Sequence, residues 1–316
     1  MNDEWNYNNK AYLQFLFYIN QKMTNKILLL SFFTFSISSC YMNKTFLKPQ
    51  KMASDSKSIT IRDSMVTYYS GENFQPTFTK FGKDTLHYSF TVKSIIFDSK
   101  SGNKLNAWIL TPKKIIPKIT LIHFHGNGGM LLSQFKAISP LVEQGFQVFM
   151  FDYSGFGFSE GEAKRNYVLE DGLSAIDYVK SDLQFANTKI VVYGQSFGGH
   201  LATVAATIKQ NDIDGLVTEG AFSSHDDIAG ESFWTIMARL SVREIYAAKK
   251  YIKNFKKPVL IIHSTEDKII PFKMAKKLYK NANQPKELYE IKGNHIWGPI
   301  LYPKQITEKI SKMLNS

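Results

Sequence analysis

Cysteine is almost absent from this chain: Cys40 is the single one among 316 residues. No intrachain disulfide can form, and no set of thiolates can hold a metal. Long apolar runs are missing as well. The run Ile27 to Ile37 has eleven residues, whereas a membrane-spanning helix needs about 20. Nor does the net charge of +12 come from a long block of one sign, because the Lys residues are interspersed with Asp and Glu. Nucleic-acid binding would call for basic residues gathered on one element with aromatics between them, so no nucleic-acid partner is expected. The denser pairs, Lys113-Lys114, Lys249-Lys250 and Lys256-Lys257, read as solvated surface. Weak attraction to an anionic membrane is the alternative.

What is present begins with the address of Cys40. Met23-Thr24-Asn25-Lys26 forms a short basic stretch, the eleven-residue apolar run follows, and Ile37-Ser38-Ser39-Cys40 closes it. Small residues directly before a Cys match the pattern of a bacterial lipoprotein signal, in which the Cys is lipidated and becomes the mature N-terminus. Residues 1–39 are then a signal segment with a start at Met23, and the expected location is the bacterial cell envelope, with the chain held on the membrane through Cys40. A secreted or an inner-membrane-anchored protein is the alternative. Losing residues 1–39 removes three Lys and two acidic residues and leaves +11, so the basic character belongs to the mature chain. Residues 40–85 are polar and read as a tether followed by a domain-edge segment.

From residue 86 onward the pattern changes. Apolar runs alternate with helical segments: Ile119 to Phe124, Gln147 to Phe151, Ile190 to Tyr193, Gly215 to Thr218, Val259 to His263 and Glu287 to Ile291. Continuous rather than alternating apolar runs indicate a parallel sheet covered on both faces. The fold class is therefore α/β, a doubly wound sheet over residues 86–316 whose chemistry belongs at the carboxyl ends of the strands. One long stretch, Phe222 to Lys257, breaks the rhythm and suggests a helical cap insertion bearing Phe233 and Trp234.

Gly194-Gln195-Ser196-Phe197-Gly198-Gly199 sits between a β-branched run and a small-residue helix, which is the context of a nucleophile elbow. A Ser hydroxyl needs an imidazole to take its proton, and the imidazole needs a carboxylate to hold its tautomer. In chain order after Ser196, Asp267 follows the strand Val259 to His263, and His295 follows the last strand in Lys292-Gly293-Asn294-His295. Glu266 is the rival carboxylate. Two backbone N–H groups must face the developing oxyanion. Phe197 supplies one, and the loop His125-Gly126-Asn127-Gly128-Gly129 supplies the other, at Asn127 with Gly128 next. His123 and His125 lack a third ligand cluster, so no metal is expected. The second Gly-rich loop, Asp152 to Gly161, has no P-loop Lys; its glycines serve tight turns, with Asp152 tying the loop by hydrogen bonds.

HGNGG, DYSGFGFSEG, GQSFGG, STEDKIIP and GNH, in this order, resemble the α/β-hydrolase superfamily, in particular the branch of Bem46-type hydrolases and relatives of serine aminopeptidases. The resemblance covers about residues 88 to 316. It implies an eight-stranded, mostly parallel sheet, a Ser-His-Asp triad and no cofactor. His263-Ser264 and Asn294 depart from the usual residues at their positions and bear on substrate geometry. The expected activity is serine hydrolysis of a small acyl ester or thioester, with a peptide substrate, or a hydrolase-fold lipoprotein that only binds a ligand, as the alternatives.

Overall fold

The structure is a computed structural model and describes residues 46–61, 65–229 and 244–315. Its centre is an eight-stranded sheet. The strands are β1 (Phe90–Asp98), β2 (Lys104–Pro112), β3 (Ile119–Phe124), β4 (Gln147–Phe151), β5 (Lys189–Gln195), β6 (Gly215–Glu219), β7 (Val259–Ser264) and β8 (Lys286–Ile291). They lie in the order β1-β2-β4-β3-β5-β6-β7-β8. β2 is antiparallel to both neighbours, and the remaining pairings are parallel. Every residue of β3, β4, β6 and β7 is buried, as strands covered on both faces require.

Helices divide between the two faces. α1 (Leu131–Glu143) and α5 (Pro303–Leu314) bury Phe135, Leu141, Ile306 and Ile310 in one core layer. α2 (Arg165–Ser181), α3 (Phe197–Ile208) and α4 (Lys273–Asn281) bury Ile176, Leu201 and Met274 in the other. The chain leaves β3 toward β4 and leaves β5 toward β6 although β3 and β5 are neighbours. Their outgoing loops therefore part, and a crevice opens at the carboxyl ends of these two strands. α3 starts in that crevice. Its small residues allow close seating: a Cβ at Gly198 would collide with the carbonyl oxygens of Phe124 and His125.

The segment expected to be a tether followed by a domain edge forms a sheet of its own where it is described. Ser58–Ile61, Met65–Ser70, Gln75–Lys80 and Asp84–Thr85 form an antiparallel sheet of four strands. Its Phe78 stacks on Phe135 of α1, ring centroids 5.2 Å apart, and meets Trp108 of β2 edge-on. Ahead of it, Lys48–Pro49 pairs in parallel with Gly128–Gly129, Leu47 is buried in the core, and Lys51 bridges to Gly157. The polar composition of residues 46–85 hid this, because a two-residue strand and a narrow sheet bury too few side chains to leave a periodic trace. Of the cap, short helices at His225–Ala229 and Ala248–Tyr251 are present; Phe233 and Trp234 lie outside the described residues, as do the signal segment and Cys40. Among the described residues no helix is long and apolar enough to cross a membrane.

Candidate active site

The turn from β5 into α3 sets Ser196 at φ 56°, ψ −121°, a backbone region that non-glycine residues rarely adopt and that costs about 1–3 kcal/mol where it occurs. The surroundings over-determine it. The Ser196 N–H donates to the Glu219 carbonyl at the end of β6, 2.8 Å away, and the Ser196 carbonyl accepts from Gly199 and His200 in the first turn of α3. Glycines on both sides are obligatory, since a Cβ at Gly194 would meet Gly199 Cα at 2.6 Å. The Phe197 N–H opens the helix and has no intrahelical acceptor at that position.

Asp267 and His295 arrive on the loops after β7 and β8 and meet there. His295 Nδ1 lies 2.6 Å from Asp267 Oδ2. The other oxygen, Oδ1, accepts the Ile269 and Ile270 N–H groups at 2.8 and 2.9 Å. Burial opposes ionisation of this carboxyl, but the hydrogen bond and charge of His295 and the two backbone donors outweigh it, so its pKa is held below the usual carboxylate value. An ionised carboxylate can only accept a hydrogen bond, so His295 Nδ1–H is the donor to Asp267. His295 Nε2 is buried with no hydrogen-bond partner among the described residues. Glu266 is turned elsewhere: it accepts the Gly293 N–H at 3.0 Å, so of the two adjacent carboxylates only Asp267 reaches the imidazole.

Ser196 and His295 are moored to the same point. Gly220 follows Glu219, whose carbonyl holds Ser196, and a Cβ at Gly220 would stand 3.0 Å from His295 Cε1. Beneath lies a buried polar network with no sequence motif. The Glu219 carboxylate accepts from Tyr193 Oη (2.8 Å), Gln195 Nε2 (2.7 Å) and the Gly298 N–H (2.7 Å), and Gln195 Oε1 faces His123 Nε2 at 2.9 Å. Burial raises the Glu219 pKa, with these donors and His295 acting against it. Glu219 thereby ties the end of β6 to the turn just after His295. The unusual residues that end β7 do similar work, for His263 Nε2 lies 2.8 Å from the Ile270 carbonyl and Ser264 Oγ donates to the Gly293 carbonyl.

The glycine loop after β3 closes the other side. Gly126 abuts Ser196, since a Cβ there would be 3.8 Å from Ser196 Cβ. The Gly126 carbonyl faces His125 Nδ1 at 2.8 Å, and the Asn127 carbonyl accepts the Lys48 N–H at 2.7 Å. In a trans peptide the N–H points opposite to its carbonyl, so these anchors fix the Asn127 and Gly128 N–H directions. Asp152, expected to tie its own loop, does so through its carbonyl, which accepts from Ser159 Oγ at 2.7 Å, while its carboxylate Oδ1 accepts the Leu131 N–H at the start of α1. His123 and His125 are buried and neutral, burial lowering their pKa to about 4 and about 3. A separate group, His200, His225 and Glu244, places its ligand-type atoms within 4.8 Å of one another. His200 directs both ring nitrogens at the Phe222 and Tyr246 carbonyls (3.1 and 3.2 Å) and His225 Nδ1 pairs with Glu244 at 3.0 Å, while His225 Nε2 is buried without a hydrogen-bond partner among the described residues.

A serine on a strained strand-to-helix turn, with an Asp–His pair carried on the two following strand ends, defines the α/β-hydrolase class. Comparison with known proteins agrees. A model of the alpha/beta hydrolase fold matches residues 119–242. The Escherichia coli O157:H7 protein YfhR is 35% identical over 216 residues, spanning 66% of this chain and 74% of that one. Protein bem46 of Schizosaccharomyces pombe is 31% identical over 157 residues, 48% of this chain and 52% of its own. The lysophosphatidylserine lipase ABHD12 of Danio rerio is 26% identical over 189 residues, 53% and 48% respectively. Among solved structures, the Pyrococcus furiosus esterase Pf2001 superposes with a TM-score of 0.59 at 18% identity, covering 72% of this chain and 93% of its own. The chain belongs to the α/β-hydrolase family.

Proposed function

We propose that the protein is a serine hydrolase that cleaves carboxylic esters or thioesters through an acyl-enzyme. The observation that carries this reading is the pairing of His295 Nδ1 with Asp267 at 2.6 Å, which leaves a buried, unpartnered Nε2 moored to the strand end that also holds Ser196. In this reading Ser196 Oγ attacks the acyl carbonyl while His295 Nε2 takes its proton. The tetrahedral oxyanion rests on the N–H groups of Phe197 and Asn127. His295 then hands the proton to the leaving alkoxide or thiolate, and a water activated by the same nitrogen releases the acid. Asp267 stays ionised throughout and stabilises the imidazolium. The ester preference is supported by the names of relatives, an esterase and a lipase. Lipidation at Cys40 belongs to the same proposal and would hold this chemistry at the cell envelope. No cofactor takes part in any of these steps.

The test is covalent labelling. Wild-type protein is expected to react with a fluorophosphonate probe and to turn over p-nitrophenyl esters, and Ser196→Ala is expected to do neither while keeping its thermal unfolding temperature. Undiminished labelling of the variant would refute the assignment.

A further inference from the structure

The lysines, interspersed with acidic residues over most of the chain, are densest in one stretch that the fold turns onto a single flank. From Ala248 to Asn281 there are ten Lys and two acidic residues, Glu266 and Asp267, so 34 residues hold +8 of the chain's net +12. The helix Ala248–Tyr251 and α4 pack against each other, which brings their lysines onto one flank, with Lys250, Lys253, Lys276 and Lys280 exposed. On that flank Asp227 accepts from Lys249 and Lys277 and offsets one charge.

α4 starts directly after the loop that carries Asp267, so the basic flank begins at the rim of the catalytic crevice. The rim itself is apolar and exposed. Ile269, beside Asp267, is 64% exposed, and Trp297, Ile300 and Leu301, in the turn after His295, are 44–46% exposed. The two loops are joined by the Asp267–His295 bond, so these side chains form one border. A Trp and aliphatic residues bounded by Lys is the composition of a protein edge that sits at a lipid–water boundary, where rings and alkyl groups enter the acyl region and ammonium groups meet headgroup phosphates. A polyanion such as DNA would use the lysines but has no use for the Ile and Leu rim.

We propose that this border and the lysine flank dock on an anionic bilayer surface, independently of any lipid on Cys40. Each Lys near such a surface contributes on the scale of severalfold in binding, and salt weakens it. Docking in this pose sets the mouth of the crevice against the lipid, so acyl esters of the membrane are the substrates; that last step rests on the serine-hydrolase reading, the docking does not.

The test uses the full chain with Cys40→Ser, which removes the acylation site, and co-sedimentation with vesicles of phosphatidylcholine alone or with one third phosphatidylglycerol. Binding to the anionic vesicles and not to the neutral ones is expected. Lys250→Gln, Lys276→Gln and Lys280→Gln together should weaken it at least about tenfold, with unfolding temperature and turnover of a soluble short ester unchanged. Ile269→Ser with Trp297→Ser should remove the part of the binding that survives high salt. Equal binding to both vesicles, no binding, an unaffected lysine variant, or tighter binding to duplex DNA than to the anionic vesicles would overturn the proposal. Because sedimentation requires no turnover, a protein that binds as expected yet hydrolyses nothing would sink the hydrolase reading alone.

Discussion

Glu266 and Asp267 are adjacent carboxylates with different work, and the difference is a matter of which donor each one faces. Asp267 bonds an imidazole and two backbone N–H groups; Glu266 bonds the Gly293 N–H. Replacing Asp267 by Asn should lower kcat on a soluble ester by about 10³–10⁴-fold, because an amide cannot stabilise the imidazolium or hold its tautomer. Glu266→Gln should stay within a few-fold of wild type. The same pair makes a pH prediction. Asp267 has a folded pKa below its unfolded one, so between the two values the unfolded chain binds more protons and stability rises with pH. Its contribution is complete above the usual carboxylate range and is lost as pH falls through the lowered value. In urea titrations the stability gap between wild type and Asp267→Asn should thus narrow on acidification. A gap independent of pH would show that the carboxyl is not held ionised by the fold. At this scale Ser196, Asp267 and His295 were legible because each sits just past an apolar strand, where chain order and loop position carry the signal. Glu219 was not: its partners Tyr193, Gln195 and Gly298 lie on other elements, and a Glu at the end of an apolar strand has no local mark of being bonded.

Among the elements, the one that departs most from its composition is the stretch from Phe46 to Met52. Lys48 and Gln50 donate to the glycine loop after β3, at Asn127 and Gly129, while Met52 donates to the Gly157 carbonyl and the Gly157 N–H donates to Gln50. The stretch thus joins the two Gly-rich loops that border the crevice. Its one deep anchor is Leu47. Leu47→Ala should cost about 2–4 kcal/mol in urea unfolding, the range for emptying a buried Leu site. Labelling by a fluorophosphonate should slow as well, because the loop bearing Asn127 loses its clamp. A loss of stability with an unchanged labelling rate would separate the stretch from the site. The long central strands and α1 to α4 were readable because dozens of side chains repeat one burial pattern. This stretch bonds through its backbone to glycines about 80 and 110 positions away, and backbone pairing leaves no trace in side-chain composition.

For the whole molecule, the sheet order is what unites the parts. β3 and β5 are neighbours whose chains depart in opposite directions, so the glycine loop and the elbow face each other at one end, and β7 and β8 bring Asp267 and His295 to that same end. The parallel character of the sheet was evident from continuous apolar runs; the order of its strands depends on crossovers that no single segment records. At this scale the proposed envelope location is checked by metabolic labelling: wild-type chain should incorporate radiolabelled palmitate and partition with membranes, and Cys40→Ser should incorporate none.

The clamp at Leu47 also redraws where the protein begins. The change of composition near residue 86 and the match to the family model from residue 119 both invite a cut that keeps only the large sheet. Such a cut would uncover Phe135 and Trp108 where Phe78 now lies, and would leave two glycine loops without the strand that spans them. The smallest unit able to keep the crevice in shape therefore starts no later than Phe46. Five residues, 41–45, lie between that point and Cys40, a reach of at most about 20 Å, so the proposed lipid would hold the domain close against its membrane.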